Sequence, residues 1–434
     1  MLGNMVKKAL ALWLVTASLA WAGEMRVNAQ RMEQRIQALA EFGKNPEGGV
    51  SRVAFSDADV QGRNYIQGLM KDAGLQVRVD AAGNIIGRRK GRNDALPPVL
   101  FGSHIDSVPK GGNYDGDVGV IGALECIEVL NENRITTEHP LEVVVFSDEE
   151  GGLVGSRAMA GEFPAAALDI KSHSGKTIRE GIRFIGGDPD RLAEAKREKG
   201  SMQAYVELHI EQGGIMEAEK IQIGVVEGIV GINWWDITIE GVANHAGTTP
   251  MNRRHDALLA AARLIIDVND AATTIPGRQV ATVGKIHAEP GAPNVIPGKV
   301  EMSLEIRDLS AEKIQRIFEK IETSAKRLEQ ESGTRIQFHA LEETAIPAVS
   351  DPEVRGVIAA SAKKLGFTTK EMPSGAGHDA QDIARIAPMG MIFVPSAGGI
   401  SHSPKEFTAA EDMARGARVL LDTILTLAGN AAGR

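Results

Sequence analysis

Cysteine is nearly absent from this chain, which has one, Cys126, among 434 residues. An intrachain disulfide is therefore excluded, and we expect stability to come from a large hydrophobic core. Hydrophobic residues make up 43% and charged residues 24% of the chain, values that are ordinary for a globular protein. Cys126 lies on an apolar stretch, where a free cysteine behaves as a small buried hydrophobe.

Positive charge is also in short supply. The 48 Lys and Arg residues are outnumbered by 57 Asp and Glu residues, which gives a formal net charge of −9. An acidic protein of this kind is unsuited to nucleic acid or to an anionic membrane surface. We therefore expect no nucleic-acid partner.

Long apolar runs are rare, and Ala9–Ala20 is too short to favour a membrane span. Lys7 and Lys8 precede it, and Ala20-Trp21-Ala22 follows it as a small-x-small cleavage site, so residues 1–22 are predicted to be a signal peptide. A buried N-terminal helix is the alternative. Loss of the two lysines would change the net charge from −9 to −11. We expect an exported, periplasmic protein, cleaved near Ala22 and with no membrane segment in its mature form.

Glycine, by contrast, is abundant at 48 residues, as in folds with many tight strand-to-helix loops. Short apolar strands, such as Pro98–Phe101 and Leu141–Phe146, alternate with helical patterns. This predicts an α/β fold, with a large mixed sheet covered by helices on both faces. A β-α-β-β-α-β pattern predicts an inserted smaller α+β domain. The predicted domains are a catalytic metal-binding domain in two parts, residues 23–231 and 347–434, and an inserted substrate-binding and dimerisation domain, residues 232–346.

Polar residues that suit metal binding or proton transfer follow the predicted strands. In GSHIDSVPKGGNYDGDVG, His104 comes directly after a strand and Asp106 can fix the tautomer of its ring. Asp115 lies among glycines, where a carboxylate can bridge two ions. In VVVFSDEEGGLVGS, Glu149 and Glu150 crowd like charges that a metal would offset, and burial would raise the pKa of the glutamate that is not a ligand.

Two further histidines, His209 in ELHIEQGG and His402 in GGISHSPKE, lie next to glycines. Any one of these histidines alone is more often structural, but the ordered set of acidic and histidine motifs favours a metal-activated water and hence a hydrolase. In the predicted small domain, His245 lies in a glycine-rich segment and Asn294 in a proline-bounded loop. Arg307, at a strand end, can hold a substrate carboxylate with two hydrogen bonds; a surface ion pair is the alternative.

Together these segments, with NHAGTTPM, APNVIPG and SGAGHDA, resemble the amidase, hydantoinase and carbamoylase family of the dinuclear metallo-aminoacylase and carboxypeptidase superfamily. The resemblance runs from about Asn28 to Leu427. It implies two divalent ions per subunit (Zn, Mn, Co or Ni), one held by His104, Asp115 and His402 and the other by Asp115, Glu150 and His209. It implies a general base and acid, Glu149, an orienting residue, Asp106, and an oxyanion-stabilising residue, His245, which a partner subunit could supply. It also implies a set of substrate-binding residues: Gln212, Asn294, Arg307, Gly377 and His378.

The activity that this resemblance implies is hydrolysis of the carbamoyl C–N bond of an N-carbamoyl-L-amino acid, giving the amino acid, carbon dioxide and ammonia. A homodimer through the inserted domain is expected. The alternatives are an allantoate amidohydrolase, an exported aminoacylase or dipeptidase, and a binding protein that has lost catalysis. An export signal departs from most relatives. Ala397 stands where many of them have a larger or charged residue, which would alter the substrate pocket.

Overall fold

The structure is a computed structural model that describes residues 25–341 and 345–429. The predicted signal peptide, residues 1–22, lies outside the described residues. The α-helices are α1 (Ala29–Ala40), α2 (Asp57–Asp72), α3 (Asp117–Glu132), α4 (Glu149–Gly152), α5 (Val154–Ala160), α6 (Ile178–Phe184), α7 (Ile215–Glu219), α8 (Ala257–Thr273), α9 (Ala311–Ser332), α10 (Pro352–Lys364), α11 (Asp379–Ile383) and α12 (Ala410–Leu427).

The strands are β1 (Gln76–Val79), β2 (Ile85–Arg89), β3 (Val99–His104), β4 (Leu141–Phe146), β5 (Ala204–Ile210), β6 (Ile223–Ile229), β7 (Gly231–Glu240), β8 (Asn244–His245), β9 (Val280–Thr282), β10 (Ile286–Glu289), β11 (Val295–Ile296), β12 (Lys299–Asp308), β13 (Arg335–Ala340), β14 (Ala348–Val349), β15 (Thr369–Ser374) and β16 (Met389–Val394).

The large sheet has the order β1-β2-β4-β3-β5-β16-β6-β14, and β15 pairs with β6. Its centre is parallel, since β4, β3, β5 and β16 all run the same way, while β2 and β6 join this centre antiparallel. The predicted large mixed sheet is therefore confirmed. Because the carboxyl ends of the four parallel strands lie at one edge, the loops that follow them can build a shared site.

Helices cover both faces of this sheet, and each central strand contributes to two cores. In β3, Val99 and Phe101 pack into a core with α1, α3, α10 and α12, whereas Leu100 points into a second core with α5 and α11. Such strands read as continuous apolar runs because neither of their faces meets water.

A second sheet of five strands, in the order β10-β12-β7-β13 with β9 also on β12, is built from residues between 231 and 340. Alternate residues of β12 pack with α8 and α9 on one face. β9 and β10 follow each other closely in sequence but pair separately with β12. Gly284 lies in the break, as glycine often does where a strand is interrupted.

Within the described residues, helices that are long and apolar enough to cross a membrane are absent. The domain boundaries and the export signal stay predictions.

Candidate metal centre

The carboxyl ends of four neighbouring strands, and the loops that follow them, bring the five predicted ligands together. His104 ends β3, His209 lies near the end of β5, and Glu150 opens α4 directly after β4. Asp115 belongs to the loop before α3, and His402 to the loop after β16. The site thus forms at the carboxyl edge of the parallel strands, where α/β sheets commonly bind ligands.

The Asp115 carboxylate is the centre of this cluster. Its Oδ1 lies 3.1 Å from His209 Nε2 and 3.6 Å from His104 Nε2. Its Oδ2 lies 3.2 Å from His402 Nε2, and Glu150 Oε2 lies 3.5 Å from the same nitrogen. Two groups that could each hold a cation therefore share Asp115: one with His104 and His209, the other with Glu150 and His402.

This grouping corrects the ligand sets that the resemblance implied, which paired His104 with His402 and Glu150 with His209. In the structure β3 and β5 are adjacent, so their histidines share one oxygen of Asp115. The His402 loop approaches the other oxygen, on the side of Glu150. Either set contains the same five residues, and only the three-dimensional arrangement separates them.

Main-chain carbonyl groups fix the tautomers of two of the histidines. His104 Nδ1 donates a hydrogen bond to the Asp106 carbonyl oxygen at 3.0 Å, and His209 Nδ1 donates one to the Ile210 carbonyl oxygen at 2.9 Å. Each Nε2 is then left with the lone pair that a metal ligand needs.

The role predicted for Asp106 needs a correction. Its carboxylate lies 3.7 Å from His104 Nδ1, beyond a hydrogen bond, and its main-chain carbonyl orients the ring instead. The two carboxylate oxygens accept the backbone N–H groups of Glu149 and Glu150, at 3.2 and 3.1 Å. Asp106 therefore fixes the position of the His104 ring relative to the backbone of Glu149 and Glu150.

Burial raises the pKa of Glu149 well above its usual range, against the opposing effect of His104, and the acids Asp379, Glu150 and Asp106 raise it further. The Glu149 carboxylate lies 3.7 Å from His104 Nε2 but is in neither of the two candidate cation groups. A buried carboxyl of raised pKa, beside the cluster and outside the ligand groups, is suited to carrying a proton.

The donor set fits divalent cations. Imidazole nitrogens and carboxylate oxygens suit zinc, manganese, cobalt and nickel. Glu150 Oε1 is buried and has no hydrogen-bond partner in the structure, which is costly for a carboxylate unless a cation is its partner. Burial and Asp115 raise the pKa of Glu150 to about 7, so a cation would also displace a proton there.

A third group, of Glu207, His209 and His378, lies behind the cluster and has a different character. The Glu207 carboxylate already accepts hydrogen bonds from Ser103 Oγ at 2.7 Å and from Tyr205 Oη at 3.0 Å. Because these bonds occupy its oxygens, Glu207 supports the end of β5 and is not free to bind a cation.

His378, predicted to bind substrate, is buried, and its ring lies 4.5 Å from that of His209. Burial and His209 hold the pKa of His378 well below its usual range, so the ring is neutral. Its Nε2 lies 2.8 Å from Ser374 Oγ. The half-buried Gly377 precedes it in the loop after β15.

Gln212 and Arg307 approach the site from different sides. Gln212 Nε2 donates to Asp115 Oδ2 at 2.7 Å. Arg307 donates to both oxygens of Glu305, at 2.7 and 2.9 Å, as the ion-pair alternative anticipated. Its Nη1 also reaches the Gly375 carbonyl oxygen at 2.6 Å, which places the guanidinium beside the loop of Gly377 and His378.

The other two small-domain residues, His245 and Asn294, belong to neither candidate cation group, and both are exposed. In the two-stranded ribbon of β8 and β11, His245 pairs with Val295, and the Asn294 carbonyl oxygen accepts the backbone N–H of Ala246 at 3.0 Å. His245 Nδ1 accepts the backbone N–H groups of Gly247 and Thr248, at 3.0 and 3.2 Å, so in the neutral ring Nε2 carries the hydrogen.

Sequence reasoning missed two buried charges beside the ligands. Arg52 Nε donates to the Ile105 carbonyl oxygen at 2.6 Å, and its Nη2 lies 2.5 Å from Asp117 Oδ2. Glu406, four residues after His402, accepts backbone N–H groups near Asp115. For Glu406 the available signal was a charged residue four positions from a ligand, which is weak because most such residues are exposed. Arg52 is far in sequence from every candidate ligand and gave no such signal.

This fold and cluster suit a hydrolase with a divalent metal site, and comparison with known proteins gives the family. The family model for peptidase family M20/M25/M40 matches residues 100–426. The chain therefore belongs to that family.

Several relatives are closely similar over nearly their whole length. An N-carbamoyl-L-amino acid amidohydrolase of Geobacillus stearothermophilus is 43% identical over 407 residues, which cover 93% of this chain and 99% of the relative. An allantoate amidohydrolase of Bacillus subtilis is 35% identical, over 91% of this chain and 96% of the relative. The crystal structure of a hydantoinase/carbamoylase family amidase from Burkholderia multivorans matches with a TM-score of 0.86 and 37% identity, over 93% of this chain and 98% of that one.

Proposed function

We propose that this protein is a metal-dependent amidohydrolase that cleaves the carbamoyl C–N bond of N-carbamoyl-L-amino acids. The observation that carries the proposal is the position of Glu149, a buried carboxyl of raised pKa next to two candidate cation groups that share Asp115. The relative from Geobacillus stearothermophilus, at 43% identity, supports the choice of substrate class.

Two divalent ions, one in each group, would polarise the ureido carbonyl and lower the pKa of water. Glu149 accepts a proton from the attacking water and later donates it to the leaving nitrogen. Asp106 keeps Glu149 in place through the backbone N–H that its carboxylate accepts. The released carbamate breaks down to carbon dioxide and ammonia.

Substrate binding is assigned to the groups that surround this centre. Gln212 and the Gly377–His378 segment line the large-domain side, and Arg307 lies next to that segment. In this proposal Arg307 releases Glu305 and binds the substrate carboxylate instead. Asn294 binds the other polar end of the substrate, its carbamoyl group. A guanidinium suits a carboxylate because it offers two parallel donors.

Allantoate, a bis-ureido acid, is the second candidate substrate, because a relative with that activity in its name covers nearly the whole chain. An aminoacylase or dipeptidase is less favoured, since neither relative described above bears such a name. A binding protein without catalysis is disfavoured because Glu149 is present together with all five candidate ligands, and a binder has no need for a proton carrier beside them.

A substrate panel tests the proposal. The protein is stripped with a chelator, reloaded with Zn²⁺, Mn²⁺, Co²⁺ or Ni²⁺, and supplied with carbamoyl, acyl and dipeptide substrates and with allantoate. We expect ammonia release from N-carbamoyl-L-amino acids only after reloading. Faster turnover of allantoate would assign the alternative, and hydrolysis of acyl or peptide substrates alone would refute a carbamoyl activity.

We also propose a homodimer formed through the small domain, in which His245 of one subunit serves the site of the other. The exposed ribbon that carries His245 and the exposed apolar side chains Leu258, Leu259 and Ile266 of α8 support this arrangement. Mixing unfolded Glu149→Gln and His245→Ala chains and refolding them should restore activity, because the mixed dimer has one intact site. A mixture as inactive as its components would contradict action in trans.

Export is the last part of the proposal, and it rests on Lys7, Lys8, the run Ala9–Ala20 and the cleavage site at Ala22. N-terminal sequencing of protein from the periplasmic fraction should begin near Gly23. Recovery of residues 1–22 on that protein would contradict cleavage.

A further inference from the structure

One carboxylate outside the two candidate cation groups joins the loops that carry two of their members. Glu406 Oε1 accepts the backbone N–H groups of Tyr114 and Asp115, at 2.9 and 3.0 Å. Its Oε2 accepts Ser401 Oγ at 2.9 Å and the backbone N–H of His402 at 3.2 Å. The residue is 5% exposed, so these four bonds form away from water.

The chain makes room for this carboxylate. A Cβ atom at Gly112 would lie 2.1 Å from Glu406 Oε1, closer than any normal contact. Gly112 is thus required by Glu406 rather than by its own backbone conformation. This is an independent sign that the loop before Asp115 is built around the Glu406 side chain.

The His402 backbone also needs support. Its φ angle is +54°, in the left-handed region that is unfavourable for a residue with a Cβ atom. The bond from its N–H to Glu406 helps to hold it there. In the same loop Ser401 Oγ also lies 3.0 Å from Asp115 Oδ2, so its single hydroxyl hydrogen is shared between the carboxylates of Asp115 and Glu406.

Glu406 is not itself a candidate ligand, because its two oxygens already face four donors. A carboxylate has acceptors only, and this surrounding suits it. A glutamine of the same shape would place its NH₂ group against two N–H or O–H donors. The arrangement therefore depends on the acid and not on the size of the side chain.

We propose that Glu406 is a positioning residue that sets the second cation position, formed by Asp115, Glu150 and His402. It fixes the separation of the Asp115 and His402 loops, which brings His402 Nε2 to 3.2 Å from Asp115 Oδ2. The first position also uses Asp115, but its two histidines, His104 and His209, are held at the β3 and β5 strand ends, so loss of Glu406 should affect that position less. The inference rests on the proposed function, since it assigns a role within the same metal centre.

The test uses wild-type, Glu406→Gln and Gly112→Ala proteins from which a chelator has removed the metal. Calorimetry measures their binding of Mn²⁺, and metal analysis after gel filtration gives the number of ions retained. Supporting groups of this kind typically change metal affinity by about 10–100-fold. Both variants should bind the second ion about 10–100-fold more weakly and should lose clearly less affinity for the first ion. The smaller change Ser401→Ala should weaken the second ion less.

Matched controls are Glu411→Gln, the same chemical change at an exposed position, and Gly356→Ala, where an added Cβ meets open space. Both should bind two ions as the wild type does. Because the Glu406→Gln defect is one of affinity, saturating Mn²⁺ should recover most of its kcat. A general structural role would instead lower both affinities together.

Wild-type affinity for the second ion in Glu406→Gln would overturn the inference, as would an equal loss of both ions. If Glu406→Gln fails to fold, Gly112→Ala and Ser401→Ala give the same test. A wild-type protein that binds two ions but releases no ammonia from any ureido acid would overturn the proposed function and leave the role of Glu406 to be judged from the binding data.

Discussion

At the residue scale, Asp115 determines how the centre is divided. One of its oxygens faces His104 and His209, and the other faces His402. A carboxylate in this position can bridge two cations, and each histidine then belongs to one ion only.

His209→Ala and His402→Ala should therefore lose different ions. Each variant is expected to bind one divalent ion per chain, and His402→Ala should keep the site of His104 while His209→Ala should keep that of Glu150. Metal analysis combined with His402→Ala/Glu150→Gln checks this, because the double variant should lose no more metal than His402→Ala alone. Two full ions in either single variant would contradict the ligand assignment.

Arg307 is expected to select substrates that carry a carboxylate. In the structure Arg307 is paired with Glu305 and lies beside the Gly377–His378 segment. Arg307→Ala should lower kcat/KM about tenfold to a hundredfold for acid substrates, since charged hydrogen bonds are worth about 1.5–3 kcal/mol. Arg307→Lys should restore little of the lost kcat/KM, because lysine cannot offer two parallel donors. Equal losses for an acid and for its amide analogue would show that Arg307 supports the fold instead.

At the element scale, Arg52 connects three segments beneath the centre. Its guanidinium donates to carbonyl oxygens of Leu39, in α1, and of Ile105, next to His104. It is also paired with Asp117, the first residue of α3, and both side chains are 1% exposed. Removal of one member of such a buried pair leaves the other charge without a partner.

Arg52→Met should therefore destabilise the protein by about 3–5 kcal/mol, which urea unfolding of the chelated protein can measure. Adding Asp117→Asn should recover part of that loss, because it removes the isolated charge. Arg183→Ala, at an exposed pair with Asp190, is the control and should cost about 1 kcal/mol or less. A loss at Arg52 no larger than that of the control would show that the pair does not hold these segments together.

The sequence allowed the elements to be predicted better than their contacts. Continuous apolar strands, such as Leu141–Phe146, are visible because both of their faces are buried, and the acids that follow them mark the sheet edge. The division of ligands was not predictable, because it depends on β3 lying beside β5 and on the approach of the His402 loop. The role of Glu406 was hidden for the same reason: its partners at Tyr114 and Asp115 are about 290 residues away.

At the scale of the whole molecule, the buried centre couples stability to protons and metal. The pKa of His402 is raised to about 9, mainly by its hydrogen bond to Asp115. Burial lowers this pKa, and the charge of Glu150 raises it further. A raised folded-state pKa contributes stability that is full below the unfolded value of 6.5 and is lost as pH rises through about 9. A metal ion competes with this proton, so its binding is favoured at high pH.

Chelated protein should therefore lose stability between pH 6.5 and 9, and the rise in Tm on adding metal should be larger at pH 9 than at pH 6.5. Thermal unfolding with and without Mn²⁺ measures both. His402→Ala should flatten the pH dependence of the chelated protein. An unchanged slope in that variant would show that other groups control it.

Turnover and metal content, measured on the same samples of wild-type and Glu149→Gln protein, test the central claim most directly. General-base catalysis typically contributes about 10²–10⁴-fold. The account predicts two ions in both proteins, ammonia release from an N-carbamoyl-L-amino acid by the wild type, and a kcat at least about 100-fold lower in the variant. A variant with near-normal kcat, or a chelated wild type that remains fully active, would contradict it.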